Sequence, residues 1–122
     1  MLEHKHLIMK GSMDNKLSKL QVGSFLLDLV EVLDMELIKG MPTNPNVGYE
    51  GGDNPGVTGC ALITTSHIVI HTWDNSLDFQ LDVYSCKTYS PEDVERVCEN
   101  IGLTAENKRL FDRKYNIIDE DI

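Results

Sequence analysis

The sequence predicts an α+β fold, a two-layer sandwich with two helices on one face of a mainly antiparallel sheet. Three observations carry that expectation. Apolar residues recur at helical spacing in two segments, 14–35 and 90–102. Several segments rich in β-branched and aromatic residues follow one another through the middle of the chain, with links of hairpin length. The resulting order, strand, helix, strands, helix, strand, suits helices packed on one side of a sheet. With 122 residues, 41% hydrophobic and 25% charged, the chain is expected to form a single domain, 1–122, able to bury a sizeable core.

The elements follow in order. Lys5–Met13 carries His6-Leu7-Ile8-Met9 ahead of Gly11-Ser12 and reads as the first strand. From Asp14 to about Met35, Leu17, Leu20, Leu26, Leu27, Leu29, Val30 and Leu33 mark a helix, with Asp14 or Asn15 as N-cap and Gly23 as a weak point. Glu36–Met41 is expected as a second strand. Residues 42–56 are dense in Pro, Gly and Asn and read as a long loop, of the kind used as a lid or binding segment. Val57–Thr65, His67–Trp73 and Phe79–Tyr84 read as three strands in succession. Ser90 as N-cap, Pro91 at the first helical position and an acidic N3 partner open the second helix. Val94, Val97, Cys98 and Ile101 form its buried stripe and Gly102 its stop. Lys108–Ile118 alternates Phe111, Arg113, Tyr115 and Ile117 on one side and is expected as an edge strand before the acidic tail Asp119-Glu120-Asp121.

Composition narrows the partners. Eleven Lys plus Arg against twenty Asp plus Glu give a net charge of −9, which repels phosphate backbones and suits a cationic ligand, so nucleic acid is not expected. No apolar run approaches the ~18 residues that cross a bilayer, so no membrane partner is expected, and the amino terminus lacks secretory-signal features, which points to a cytoplasmic address. The three cysteines, Cys60, Cys86 and Cys98, include no CxxC pair, so neither a disulfide framework nor a zinc finger is indicated. His67 and His71 share a strand face but have no third ligand at metal spacing, so no metal is expected. Cys60 and Cys98 read as packing residues, His4 and His6 as structural or solvent-facing, and Asp82 as a polar strand residue.

Reactive side chains concentrate in Gly56-Val57-Thr58-Gly59-Cys60 through Thr65-Ser66-His67-Ile68-Val69-Ile70-His71-Thr72-Trp73, followed by Leu81-Asp82-Val83-Tyr84-Ser85-Cys86. This run resembles the signature of the prokaryotic-type S-adenosylmethionine decarboxylases, pyruvoyl-dependent enzymes of polyamine synthesis, over roughly Gly56 to Cys86. The resemblance implies that Ser66 is the pyruvoyl precursor, that the chain cuts itself between Thr65 and Ser66 into a β chain (1–65) and an α chain (66–122), and that His71 and Thr58 assist processing. It further implies that Cys86 donates a proton to the product, that the protein is a homodimer in which one small sandwich supplies part of each pocket, and that the substrate is a small molecule, S-adenosylmethionine. Where the family carries His-Thr-Trp-Pro-Glu, with the glutamate on the substrate ribose, this chain reads His71-Thr72-Trp73-Asp74-Asn75, so Trp73, Asp74 and Asn75 are the substrate-binding candidates.

The residue chemistry supports the same set. A serine hydroxyl placed against the preceding carbonyl converts amide to ester. A base removes the serine α-proton, and β-elimination leaves dehydroalanine, which water converts to a pyruvoyl group. That ketone forms a Schiff base with an amino acid and takes up the electron pair left by departing carbon dioxide, and a thiol, mostly protonated near neutrality, returns a proton. Along an unbroken strand Ser66 and His71, five apart, point to opposite faces, so a shared role predicts a turn or bulge at Thr65-Ser66. Asn75 in the glutamate position leaves a pyruvoyl-dependent ornithine or arginine decarboxylase as one alternative, and an uncleaved regulatory pseudoenzyme as another.

Overall fold

The computed structural model describes residues 4–64 and 66–113. They form β1 (Lys5–Met13), α1 (Lys19–Val32), β2 (Asn46–Glu50), β3 (Gly56–Ile63), β4 (Ser66–Trp73), β5 (Asp78–Ser85), α2 (Pro91–Asn100) and β6 (Leu103–Asp112). The strands make one six-stranded sheet in the order β2-β3-β4-β5-β1-β6, antiparallel at each pairing. Both helices share one core with the sheet, so the two-layer α+β expectation holds.

Period-two alternation decides which residues enter that core. Leu7 and Met9 of β1, Val57, Ala61 and Ile63 of β3, Ile68 and Ile70 of β4, and Phe79, Leu81 and Val83 of β5 are buried beneath Val22, Phe25, Leu26 and Leu29 of α1 and Val94, Val97 and Cys98 of α2. Burial of each large apolar side chain contributes about 1.5–3 kcal/mol. Gly59 lets α1 approach β3, for a Cβ there would lie 2.8 Å from Val22 Cγ1 and 2.9 Å from Leu26 Cδ1. The intervening residues of β1, β3, β4 and β5 emerge on the opposite face, which carries no helix among the described residues.

Several boundaries differ from expectation. The first helix starts later: its N-cap is Ser18, not Asp14 or Asn15. The Ser18 hydroxyl accepts from the Gln21 amide at 3.1 Å while the Gln21 side chain accepts from the Ser18 amide at 2.9 Å, a reciprocal pair that satisfies two otherwise orphaned donors. Asp14 instead continues from β1, its amide bonded to the Gly102 carbonyl. The helix runs through Gly23 without interruption. Glu36–Met41 is not a strand; it makes a single bridge, Leu37 to Ile63, and the Asn44 side chain takes up the backbone of Leu62, accepting from its amide at 3.0 Å and donating to its carbonyl at 2.7 Å. The long loop contains a strand, β2, which pairs with the first half of β3. The free edge of β3 is thus divided between two short partners, and pairing overrides the weak strand propensity of Asn46-Val47-Gly48-Tyr49-Glu50.

At α2, Pro91 and the acidic first turn are as expected, but the Ser90 hydroxyl donates to Glu92 at 2.7 Å rather than capping a backbone amide. The last strand begins at Leu103, earlier than expected, and is a sheet edge; Tyr115, Ile117 and the acidic tail lie outside the described residues. No described helix is long and apolar enough to cross a membrane.

Gly56 opens β3 where a Cβ would stand 1.8 Å from the Thr72 carbonyl oxygen, a collision with backbone that no rotamer relieves. Gly56→Ala is expected to destabilise the protein by about 1–3 kcal/mol through overpacking, whereas Gly48→Ala, whose Cβ meets nothing within 4 Å, should change stability by less than about 0.5 kcal/mol. Urea unfolding of the two variants beside the parent checks the contrast, and equal losses would refute it.

Candidate functional site

β4 carries the candidates in a line. Ile63 of β3 pairs with Ser66 of β4, so the link between these strands is two residues long. Ser66 is half-buried at the first position of β4, and Thr65, on the other side of the expected cut, lies outside the described residues. Ser66 pairs across the sheet with Ser85 of β5. Cys86, half-buried, is the next residue after Ser85, just past the end of β5.

The pairing of β3 with β4 steps evenly from Ile63 and Ser66 to Thr58 and His71, without a bulge. Alternation therefore sets Ser66 on the side of Ile68, Ile70 and Thr72, and His71 on the helix-free face. Along the strand the two are about 16 Å apart, five residues at ~3.3 Å each. His71 has a different companion: Thr58, its register partner on β3, places its hydroxyl 3.0 Å from His71 Nδ1. One protomer thus brings Thr58 and His71 together, sets Ser66 opposite Ser85, the residue before Cys86, and does not join Ser66 to the Thr58–His71 pair.

The third group sits past the far end of β4. Trp73 is the last residue of the strand, its ring 6.1 Å from that of His71. Asp74 and Asn75 begin the turn into β5. Asp74 keeps the parity of Ile70 and Thr72 and is only 6% exposed; its amide donates to the Pro55 carbonyl at 2.8 Å, and its Oδ1 has no hydrogen-bond partner. Asn75 Nδ2 donates to the Asp53 carbonyl at 3.1 Å. The carboxylate of this pair is turned into the protein, and the exposed member is an amide.

The helix-free face also holds a concavity of 620 Å³, with Ile8, Val69, His71, Gln80, Asp82 and Arg109 among its lining residues. Sequence reasoning missed part of this face. His6 and Asp82, read as ordinary strand residues, are bonded to each other at 2.6 Å. The alternation of β1 and β5 marks both as outward-facing, but nothing in the sequence says that these two strands are neighbours. Among the described residues no group of three or more His, Cys, Asp and Glu is arranged to hold a metal ion.

A family model described as S-adenosylmethionine decarboxylase matches residues 10–114. The S-adenosylmethionine decarboxylase proenzyme of Methanococcus maripaludis is 39% identical over 66 residues, covering 53% of this chain and 53% of that protein. The arginine decarboxylase proenzyme of Pyrobaculum arsenaticum is 45% identical over 42 residues, 34% of this chain and 32% of that protein. The S-adenosylmethionine decarboxylase proenzyme of Hydrogenobaculum sp. is 37% identical over 65 residues, 49% of this chain and 47% of that protein. The chain spans about half or less of the length of these curated relatives.

The thiols differ in accessibility. Burial in the core, with smaller contributions from Glu95 and Glu99, pushes the Cys98 thiol up to about 12 from an ordinary 9.0. Because the folded protein keeps a proton that the unfolded chain sheds, this group contributes stability that is complete below about pH 9 and is lost as pH rises toward 12. Native protein treated with iodoacetamide at pH 8 should leave Cys98 unmodified until denaturant is added, as peptide mass mapping would report; alkylation of Cys98 in the native state would contradict its burial.

Proposed function

The chain belongs to the S-adenosylmethionine decarboxylase family, and from that premise we propose that it is the proenzyme of a pyruvoyl-dependent decarboxylase acting on S-adenosylmethionine, after cutting itself between Thr65 and Ser66. The observation that carries this reading is the position of Ser66. It stands at the start of β4, directly after a two-residue link, with Cys86 one residue beyond its partner on β5. The serine needed to attack its own preceding carbonyl is thus at a strand junction, and the residue after its cross-strand partner is a cysteine.

The residues present fit a pyruvoyl group at position 66. Such a group supplies an electron sink for loss of the substrate carboxylate. Cys86 holds the proton that replaces carbon dioxide on the product, a general-acid contribution typically of ~10²–10⁴ in rate. Thr58 and His71, hydrogen-bonded at 3.0 Å, form a pair able to hold a carbonyl oxygen and move a proton during processing. Their distance from Ser66 within one protomer supports a homodimer in which the pair of one copy serves Ser66 of the other. Trp73, the last residue of β4, and Asn75, just beyond it, lie toward His71 and contact the substrate there.

A second reading keeps the chemistry and changes the substrate to arginine or ornithine. It is favoured by one observation: the acidic side chain of the Asp74-Asn75 pair is buried, so no carboxylate is offered to a ribose from this turn. Both classes of substrate are cationic and suit a chain of net charge −9.

On incubation, the purified protein should resolve into chains 1–65 and 66–122 by intact mass, the second with its amino end converted to a carbonyl that hydroxylamine traps, while Ser66→Ala stays whole. A native chain that remains in one piece with an unmodified serine would support a regulatory pseudoenzyme instead. Mixing Ser66→Ala with His71→Ala tests the shared site: the His71→Ala chain should be cut in the mixture and not alone, and cutting at equal rates in both would rule out the shared pair. Carbon dioxide release from S-adenosylmethionine, arginine and ornithine separates the substrates; release from S-adenosylmethionine is expected, and activity confined to a basic amino acid would establish the second reading.

A further inference from the structure

We propose that Asp82, bridging His67 and His6, anchors the new chain end that self-cleavage creates and holds the reactive carbonyl at position 66 in place. The inference rests on the functional reading above and concerns residues outside the set that performs the chemistry.

The cluster is built from three strands. His67 of β4, Tyr84 of β5 and His6 of β1 fall in one row across the sheet, all on the helix-free face. Asp82, two residues from Tyr84 on β5, stands diagonally between the histidines, within reach of both. Its Oδ1 accepts from His6 Nε2 at 2.6 Å and lies 3.5 Å from His67 Nε2. The Tyr84 ring is 5.7 Å from each imidazole. His4 Nδ1 is 3.0 Å from the Tyr84 hydroxyl, and the Arg113 guanidinium carbon lies 4.2 Å from the centre of the Tyr84 ring. One carboxylate thus ties the second residue of β4 to β1 across the intervening strand, with rings packed around the tie.

Before cleavage the start of β4 needs no such tie, because a two-residue link joins it to β3. After cleavage position 66 is a terminus, Ile63 beside it is close to another, and terminal residues fray at little cost. The first side chain behind the carbonyl is His67. A displacement of the reacting atom by about 1 Å can cost ~10² in rate, so a side-chain anchor one residue away acts where fraying would do most harm. His67, Asp82 and His6 are positioning residues; none is required to touch substrate.

The test uses Asp82→Asn, which keeps the shape of a side chain that is 39% exposed, and the pair His67→Ala and His67→Gln, the second retaining a donor near the position of Nε2. Each is made in the self-cleaving protein and in an uncut Ser66→Ala background. In cut protein, Asp82→Asn and His67→Ala are expected to speed hydrogen exchange at residues 67–69 and hydroxylamine trapping of the carbonyl by roughly tenfold, and to lower kcat by a similar factor with little change in KM. His67→Gln should recover most of the loss, and in the uncut background exchange over 67–69 should match the Ser66→Ala parent within about twofold. Cut variants that exchange, trap and turn over like the parent would overturn the anchor alone. Variants that fold, by matching melting curves in the uncut background, yet fail to cut would overturn it too, because the cluster would then act before cleavage. A parent protein that never cuts sinks the functional reading and the anchor together, and is recognised before any variant is measured.

Discussion

Alternation along β1, β3, β4 and β5 divides the side chains of this protein between a face buried beneath two helices and a face that carries polar and titratable groups. The division admits no local exceptions in the central strands, because a one-residue slip would send Ile68, Ile70 and Thr72 outward and place histidines beneath α1. The even pairing of β3 with β4 is therefore held by the whole core, and the positions of Ser66 and His71 are consequences of it. A bulge at the start of β4 would bring those two residues to one side only by working against that packing.

From this constraint comes the arrangement of the candidate site. β4 spans the sheet, so residues close in sequence lie at different places along it, while residues distant in sequence become neighbours across it. Ser66 meets Ser85, the residue before Cys86, through the pairing of β4 with β5, and Thr58 meets His71 through the pairing of β3 with β4. Ser66 is thereby kept at a distance along β4 from His71. The helix-free face holds His6, Asp82 and His67, whose convergence ties the start of β4 to β1 across β5.

The parts legible in the sequence were those governed by local periodicity. β1 matches its expected bounds of Lys5–Met13, and β3, β4, β5 and α2 lie where alternation and helical spacing put them. The parts that were not legible depend on partners. β2 has a composition suited to turns and is a strand because β3 offers it an unpaired edge. Glu36–Met41 has the composition of a strand and is not one because Asn44 and β2 occupy most of that edge. The start of α1 was decided by the reciprocal bonds of Ser18 and Gln21, a spacing present in the sequence but set among other polar residues that compete for the same role.

The sequence by itself determined the two-layer architecture and the acidic character of the chain, because periodicity and charge are properties of the chain alone, and it grouped Ser66, His71 and Cys86 only through a family resemblance. Only the tertiary structure decided which of those residues are neighbours, that the acid of the Asp74-Asn75 pair is turned inward, and that two histidines share Asp82. Those outcomes depend on strand order and register, which many non-local contacts settle together.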